Sequence, residues 1–144
     1  MTLIEQRHPK LGRLMQLWGE ARQGNALPPA SALHPDRLAD LAALTVLLMP
    51  EYEDEGNLTI ASSGFEVDAL YGAALAGAPA RDLAPVRGDA EQEARSAIET
   101  GRPVLIEDEL RSEGRRQRVA RLYLPLASED GTPGGVLCGV VAVS

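Results

Sequence analysis

Two segments of the sequence are apolar on both alternations of a β-strand, and this limits the folds that the chain can adopt. They are Leu44–Met49 and Val136–Val143. Successive side chains of a strand point to opposite faces of a sheet, so a strand that is apolar on both alternations needs a cover on both faces. We therefore expect the two segments to be neighbours at the centre of one sheet.

The stretch Leu58–Gly77 predicts a strand followed by a short helix. Residues 58–61 are mostly apolar or β-branched, and two serines followed by Gly64 then break the strand. The next apolar residues recur at helical spacing and share one stripe: Val67, Leu70 and Tyr71. A short helix that lies across a sheet in this way commonly covers a cavity. We also expect at least one of Gly64 and Gly77 to have a backbone conformation that a Cβ atom disfavours.

The N-terminal part of the chain predicts two helices, each with an apolar face. Pro9 suits the first turn of a helix. The apolar residues that follow form one stripe: Leu11, Leu14, Met15, Trp18 and Ala21. A second, short helix starts at Pro35 and carries Leu38 and Leu41 on one face. These faces either fold back over the sheet of the same chain or contact a second copy, and the pattern leaves both arrangements open.

The C-terminal part predicts one helix and three antiparallel strands. Asp89 caps the helix over residues 89–100, and Gly101 ends it. The strands begin near residues 104, 119 and 136. Four arginines crowd the turn between the first two strands: Arg111, Arg115, Arg116 and Arg118. An exposed charged hairpin that protects a sheet edge explains them better than a nucleic-acid site, because the chain is acidic and lacks the aromatic residues that stack bases.

Composition narrows the functional class. The 144 residues suffice for one domain with a buried core, and the formal net charge of −7 disfavours nucleic acid as a partner. The single cysteine, Cys138, excludes an internal disulfide and a cysteine-based zinc cluster within one chain. The sequence has no apolar run of membrane-spanning length and no signal-peptide core. We therefore expect a cytoplasmic protein that does not enter a membrane.

Several short motifs follow one another in the chain from about His8 to Val143. They are His8-Pro9-Lys10-Leu11 with Trp18, Pro28, Pro35-Asp36-Arg37-Leu38, the glycines Gly64, Gly72 and Gly77, and Leu124-Pro125-Leu126. With these motifs the sequence is similar to one bacterial PAS family, and the order of the elements resembles that of a PAS domain with an N-terminal helical extension. Ala61 stands where that family usually has an arginine, so a polar role of this arginine does not carry over.

The resemblance implies an α+β fold. It consists of a PAS-like five-stranded antiparallel sheet with helices on one face and an N-terminal helical extension. Residues 1–42 would form the extension and residues 43–144 the PAS-like domain, the two being one structural unit.

A small-molecule pocket in such a fold lies between the inner face of the sheet and the helices 64–72 and 89–100. Leu122 and Leu124 are expected to point inward because they belong to the more apolar alternation of their strand. The candidate lining residues are Leu70, Tyr71, Leu75, Ile98, Ile106, Leu122, Leu124 and Cys138.

The sequence contains no recognisable catalytic or metal-binding motif. The histidines, His8 and His34, stand beside prolines at predicted helix starts, where a capping or structural role accounts for them. A solvated turn explains the carboxylates of residues 51–55 better than a metal site does. Cys138 falls within a predicted strand and not in a helix that borders the pocket, which disfavours a flavin photosensor. Neither histidine is placed to bind haem, so the sequence identifies no cofactor.

We therefore expect a non-enzymatic PAS sensor or signalling module that acts through small-ligand binding and protein–protein contacts. A ligandless regulatory adaptor or dimerisation module is the alternative, and a small-molecule enzyme is a distant third because the acid–base residues are missing. An empty pocket would favour the sensor, and a packed interior would favour the adaptor.

The expected partners are a second copy of the chain, a signalling protein and an unidentified small molecule. Symmetric pairing is the commonest form of oligomer, so a homodimer is expected. Its candidate interface residues are Leu11, Leu14, Met15 and Trp18.

Overall fold

The computed structural model describes residues 6–50, 57–84, 89–112, 114–128 and 133–143. Residues 51–56 of the acidic turn predicted over residues 51–57 lie outside them. The elements in chain order are the helix α1 (Pro9–Ala21), three 3₁₀ segments (Ala30–Leu33, Pro35–Arg37 and Ala39–Leu44), the strands β1 (Thr45–Pro50) and β2 (Leu58–Ser63), the helix α2 (Phe65–Tyr71), a 3₁₀ segment (Ala80–Leu83), the helix α3 (Ala90–Thr100), and the strands β3 (Val104–Ser112), β4 (Arg115–Ala127) and β5 (Pro133–Ala142).

The strands β1 and β5 are neighbours in the middle of the sheet, as predicted. The strand order is β2-β1-β5-β4-β3, and all neighbouring strands are antiparallel. Val46 of β1 lies opposite Cys138 of β5, and both side chains are buried on one face, while Leu137 is buried on the other. The central strands are therefore apolar on both alternations because both faces of the sheet are covered.

Helices cover each face of the sheet. The inner face, as we call it here, packs against α2, α3 and the 3₁₀ segment Ala80–Leu83, and the outer face packs against α1 and the N-terminal 3₁₀ segments. The capping prediction for α3 is confirmed: the Asp89 side chain accepts a hydrogen bond from the Gln92 N–H at 3.0 Å, and Gly101 ends the helix with φ +67°. The buried residues of α3 are alanines, which let the helix approach the sheet closely.

The apolar stripe of α1 folds back over its own sheet. Leu11, Leu14 and Trp18 are buried against leucines of β4 and β5. The Trp18 Nε1–H donates to the Pro125 carbonyl oxygen at 2.8 Å. Gly139 makes the approach possible, because a Cβ atom there would lie 2.7 Å from a methyl group of Leu14.

This packing corrects the candidate interface. Leu11, Leu14 and Trp18 are hidden inside one chain, and Met15 is half-buried against the same cluster. A homodimer would therefore need another surface. The predicted helix from Pro35 is also replaced by two short 3₁₀ segments, since Ala39, where the second segment begins, has φ +52°, outside the right-handed helical region.

The expected orientation of β4 is wrong. Leu122 and Leu124 point to the outer face and pack with α1, whereas Tyr123 packs within the inner cluster and Arg121 bonds to α3. The more apolar alternation was expected to face inward. It faces outward because the N-terminal extension supplies an all-apolar cover there, while the inner alternation includes polar groups that find partners.

Two glycines hold the ends of the β2–α2 stretch in different ways. Gly77 has φ +91°, in the left-handed region that glycine favours, so the expectation for one of the two glycines is confirmed. Gly64 has φ −75°, but a Cβ atom there would overlap the carbonyl oxygens of Ala42 and Ala43. Glycine is thus required at position 77 by the backbone conformation and at position 64 by the lack of space for a Cβ atom.

We expect both alanine variants to be less stable, in a defined order. Gly77→Ala should cost about 1 kcal/mol, because its Cβ meets open space and only the positive φ is strained. Gly64→Ala should cost roughly 2 to 3 kcal/mol, because backbone atoms must move. Urea unfolding of both variants measures this. Gly19→Ala on α1, where a Cβ also meets open space, is the control, and equal midpoints for all three would contradict the argument.

Candidate functional site

A buried cluster of polar side chains lies between the inner face of the sheet and the helices, where the pocket was predicted. Its centre is Arg121 of β4, whose side chain is only 1% exposed. The guanidinium donates to the Glu93 carboxylate of α3 at 3.0 Å and to the Asp108 carboxylate of β3 at 3.2 Å. A further N–H reaches the Leu83 carbonyl oxygen at 3.4 Å. One side chain therefore joins three elements that surround it.

Two tyrosines complete the cluster. The Tyr123 hydroxyl accepts a hydrogen bond from Arg121 Nε at 3.0 Å and donates to Glu93 at 2.6 Å. The Tyr71 hydroxyl donates to the Leu83 carbonyl oxygen at 2.6 Å, so α2 is attached to the same carbonyl as Arg121. Among the described residues, no buried side-chain nitrogen or oxygen lacks a hydrogen-bond partner. The polar groups of the cluster satisfy one another.

The electrostatics keep this arrangement fixed near neutral pH. Burial alone would lower the pKa of Arg121, but Tyr123 and the Glu93 carboxylate more than offset it, so the pKa is raised and the guanidinium stays charged. Burial raises the pKa of Tyr123 and of Tyr71, so both hydroxyls stay protonated and can donate. The cluster places two carboxyl groups, those of Glu93 and Asp108, beside one guanidinium.

The cluster is built to hold elements together rather than to transfer protons. Its only base candidates, Glu93 and Asp108, already accept hydrogen bonds from Arg121, and Arg121 cannot lose its proton at physiological pH. Cys138 is fully buried nearby, and burial raises its pKa to about 12, so it is not a nucleophile. The described residues also contain no group of histidine, cysteine or carboxylate side chains that could hold a metal ion.

The structure separates the predicted pocket residues into two groups. Leu122 and Leu124 lie on the outer face and cannot line a pocket beneath α2 and α3. The other six belong to the inner cluster or pack against it: Leu70, Tyr71, Leu75, Ile98, Ile106 and Cys138. Whether these residues contact a ligand stays a prediction.

Sequence reasoning missed the polar members of the cluster. Arg121 interrupts an otherwise apolar segment, residues 119–126, and a charged residue in such a place is rarely buried without a partner. That interruption was the available signal. No comparable signal marks Glu93 and Asp108. Carboxylates on a helix and on an edge strand are ordinary surface residues, and only the buried cation between them distinguishes these two.

A second ion-pair cluster fixes the start of α1 to the outer face. His8 is buried at the N-terminus of α1, and its Nε2 lies 2.9 Å from the Glu107 carboxylate of β3. Arg7 and Arg118 lie 3.2 and 3.8 Å from the same carboxylate. The hydrogen bond from His8, followed by the charges of Arg7 and Arg118, lowers the pKa of Glu107. The predicted structural role of His8 agrees with this placement.

The comparison with protein families decides what kind of domain this is. A sequence model described as "PAS domain" matches residues 6–141, nearly the whole chain. The chain is a PAS domain. Its fold, a five-stranded antiparallel sheet with α2 and α3 on one face, agrees with that assignment. A search of curated proteins gives no significant match.

Solved structures of PAS and LOV domains share the fold of this PAS domain at low sequence identity. A light-oxygen-voltage domain studied with a flavin analogue has a TM-score of 0.54 at 19% identity, over 69% of this chain and 76% of that chain. An RNA-binding light-oxygen-voltage receptor has a TM-score of 0.56 at 19% identity, over 83% of this chain and 34% of that chain. The PAS domain of a protein from Colwellia psychrerythraea has a TM-score of 0.50 at 17% identity, over 73% of this chain and 91% of that chain. These similarities show the fold alone.

Proposed function

We propose that this PAS domain is a non-enzymatic signalling module that acts through contacts with other proteins and whose interior is filled by its own side chains. The observation that carries the proposal is the position of Arg121 and Tyr123. Both side chains are buried on the inner face and extend into the space beneath α3. They take up the place in which the sequence predicted a small molecule.

A packed interior favours the adaptor over the ligand sensor. A ligand that entered this space would have to displace Arg121 from Glu93 and Asp108, leaving two carboxylates without their cation in a poorly solvated place. Removing one partner of a buried ion pair typically costs roughly 3 to 5 kcal/mol. A small molecule would need to supply that free energy before it gained any affinity.

A flavin of the kind named for the light-oxygen-voltage relative does not fit these residues. Arg121 and Tyr123 occupy the interior, and Tyr71 is bonded to the Leu83 carbonyl across it. Cys138, the chain's single cysteine, lies in the central strand β5 with no exposed surface. Nothing in this arrangement offers a reactive thiol beside a helix-bordered pocket.

The outer face of the sheet is covered by α1 of the same chain, and this changes the expected oligomeric state. No apolar face of the sheet is therefore left that a second copy would have to cover.

Among the described residues, no helix is long and apolar enough to cross a bilayer. We propose that the protein is cytoplasmic and that it acts by contacting a partner protein.

Native mass spectrometry of purified protein tests the proposal. We expect the mass of the polypeptide alone, because Arg121 and Tyr123 take up the space in which a retained molecule would lie. The same spectrum reports the number of subunits, and we expect a monomer at micromolar concentration. A small molecule that stays bound in the native spectrum and leaves on denaturation would contradict the filled interior and favour the sensor. Repeating the measurement on Arg121→Ala, which removes most of the Arg121 side chain from the interior, shows whether the method detects a ligand when space exists.

A further inference from the structure

We propose that the groove beside the C-terminal end of β5 binds an extended peptide segment of a partner protein as an added strand. The inference rests on the proposed function, because it names the surface through which a PAS domain with a filled interior would make its contact. Three observations carry it: an incomplete pairing of β5, the direction of its backbone groups, and a groove along that edge.

β5 has two strand neighbours along only part of its length. Its pairing with β1 ends where Thr45 lies opposite Gly139. Its pairing with β4 continues to Ala142, which lies opposite Val119. On the N-terminal side of Thr45 the chain turns into the 3₁₀ segment Ala39–Leu44. No described strand therefore lies beside residues 140–142 on the β1 side.

The backbone groups at this edge point into the open space. The Val143 N–H donates to the Arg118 carbonyl oxygen of β4 at 2.8 Å. Backbone groups of consecutive strand residues alternate between the two neighbouring strands. The N–H and C=O groups of Ala142 must therefore point away from β4, toward the side that β1 has left. Such an edge is a template for another extended chain.

A groove of about 580 Å³ runs along the edge. Residues 140–142 form its floor, residues 7–10 at and just before the start of α1 form one wall, and Glu66, Ala69 and Leu70 of α2 form the other. Because the edge is recessed between two helices, a narrow extended segment can reach it. A second copy carries the same recessed edge, and two recessed edges cannot meet.

The two walls differ in chemistry and so select the side chains of the added strand. The α1 wall carries Arg7, which pairs with Glu107, and Lys10, which forms no ion pair with another described residue. The α2 wall carries the exposed Glu66 and Ala69 and the half-buried Leu70, and the Glu66 carboxylate disfavours an acidic side chain on that side. Side chains of a strand alternate between faces. The groove therefore fits a segment with an acidic side chain toward Lys10 and an apolar side chain on the adjacent position, toward Leu70.

A display library of random linear octapeptides tests this assignment, with selection on the wild-type protein and counter-selection on Ala142→Pro. The substitution removes an N–H that points away from β4, so the sheet keeps its hydrogen bonds. Val141→Pro is the matched control, because its N–H faces β4 and its loss should destabilise the fold. Ala69→Arg blocks the α2 wall at an exposed position and carries the test if Ala142→Pro fails to fold.

We expect enriched peptides with acidic and apolar residues on adjacent positions, and binding at least roughly tenfold weaker to Ala142→Pro and to Ala69→Arg. N-methylation of alternate backbone amides of such a peptide should abolish binding in one register only, since half of its amides face β5. Failure to enrich any peptide, or binding that ignores both variants, would overturn the proposal. So would a wild-type dimer that Ala142→Pro dissociates, because the occupant would then be a second copy.

The outcome is separable from the test of the filled interior. A small molecule retained in the native mass spectrum contradicts the proposed function whatever the peptides show. If no small molecule is retained and no peptide binds the groove, only the assignment of this surface is contradicted.

Discussion

Arg121→Met should lower the free energy of unfolding by roughly 3 to 5 kcal/mol, because it leaves the Glu93 and Asp108 carboxylates close together without their cation. Methionine preserves much of the volume, so the loss reports charge and hydrogen bonding more than a cavity. Tyr123 also loses the donor to its hydroxyl oxygen. Chemical unfolding, followed by far-ultraviolet circular dichroism, measures the change.

The charge balance of the cluster makes a sharper test than the single variant. Glu93→Gln leaves Arg121 paired with Asp108 alone, a neutral arrangement, so we expect a cost of only about 1 to 2 kcal/mol. The double variant Arg121→Met with Glu93→Gln should be more stable than the sum of the single effects predicts, because it leaves one unpaired carboxylate instead of two.

Arg111→Met is the matched control, since Arg111 is an exposed arginine on β3. Its effect should stay within about 0.5 kcal/mol, as for surface positions in general. If Arg121→Met is as mild as Arg111→Met, the cluster does not stabilise the interior. A ligand could then displace Arg121 at little cost, and the argument against a sensor would fail with it.

The architecture was predictable because the residues that determine it act locally. Two strands that are apolar on both alternations, Leu44–Met49 and Val136–Val143, can only lie at the centre of a doubly covered sheet, and they do. The caps of α3, Asp89 and Gly101, follow from hydrogen bonding and dihedral preference within one turn. The start of α1 at Pro9 was predictable in the same way.

The direction in which β4 faces was not predictable from its own sequence. Residues 119–127 are buried at every position, so their pattern does not say which alternation meets which cover. The answer depends on segments far away in the chain. The leucines of α1 match Leu122 and Leu124 on the outer face, whereas Glu93 of α3 matches Arg121 on the inner face.

The prediction of the candidate site was incomplete for the same physical reason, because the partners of the β4 side chains lie far away in the chain. Of the predicted apolar pocket residues, Leu75 and Cys138 lie inside the inner cluster. The prediction passed over Arg121 because a lone charged residue gives no indication of its partners. A buried charge requires a counter-charge, so Arg121 within a buried strand should itself have prompted a search for two carboxylates.

Trp18→Ala should cost roughly 3 to 5 kcal/mol, because it removes the largest side chain that α1 buries on the outer face. The Pro125 carbonyl oxygen loses its donor as well. The Arg22 guanidinium, which lies 5.0 Å from the centre of the Trp18 ring, loses its stacking surface. Loosening of α1 would expose the leucines of β4, an apolar patch that should bind a hydrophobic dye and favour association.

Three matched variants separate these contributions and decide what α1 does. Trp18→Phe keeps most of the apolar contact and should lose about 1 kcal/mol for the missing hydrogen bond. Gln16→Ala changes an exposed position of the same helix and should be nearly neutral. Leu14→Ala, at a fully buried position, should cost about 2 to 5 kcal/mol. Light scattering distinguishes the two roles of the α1 stripe. If the wild type is a folded monomer that associates only after Trp18→Ala, α1 covers its own sheet. If the wild type is a dimer that Trp18→Ala splits into folded monomers, the stripe forms an interface between two copies.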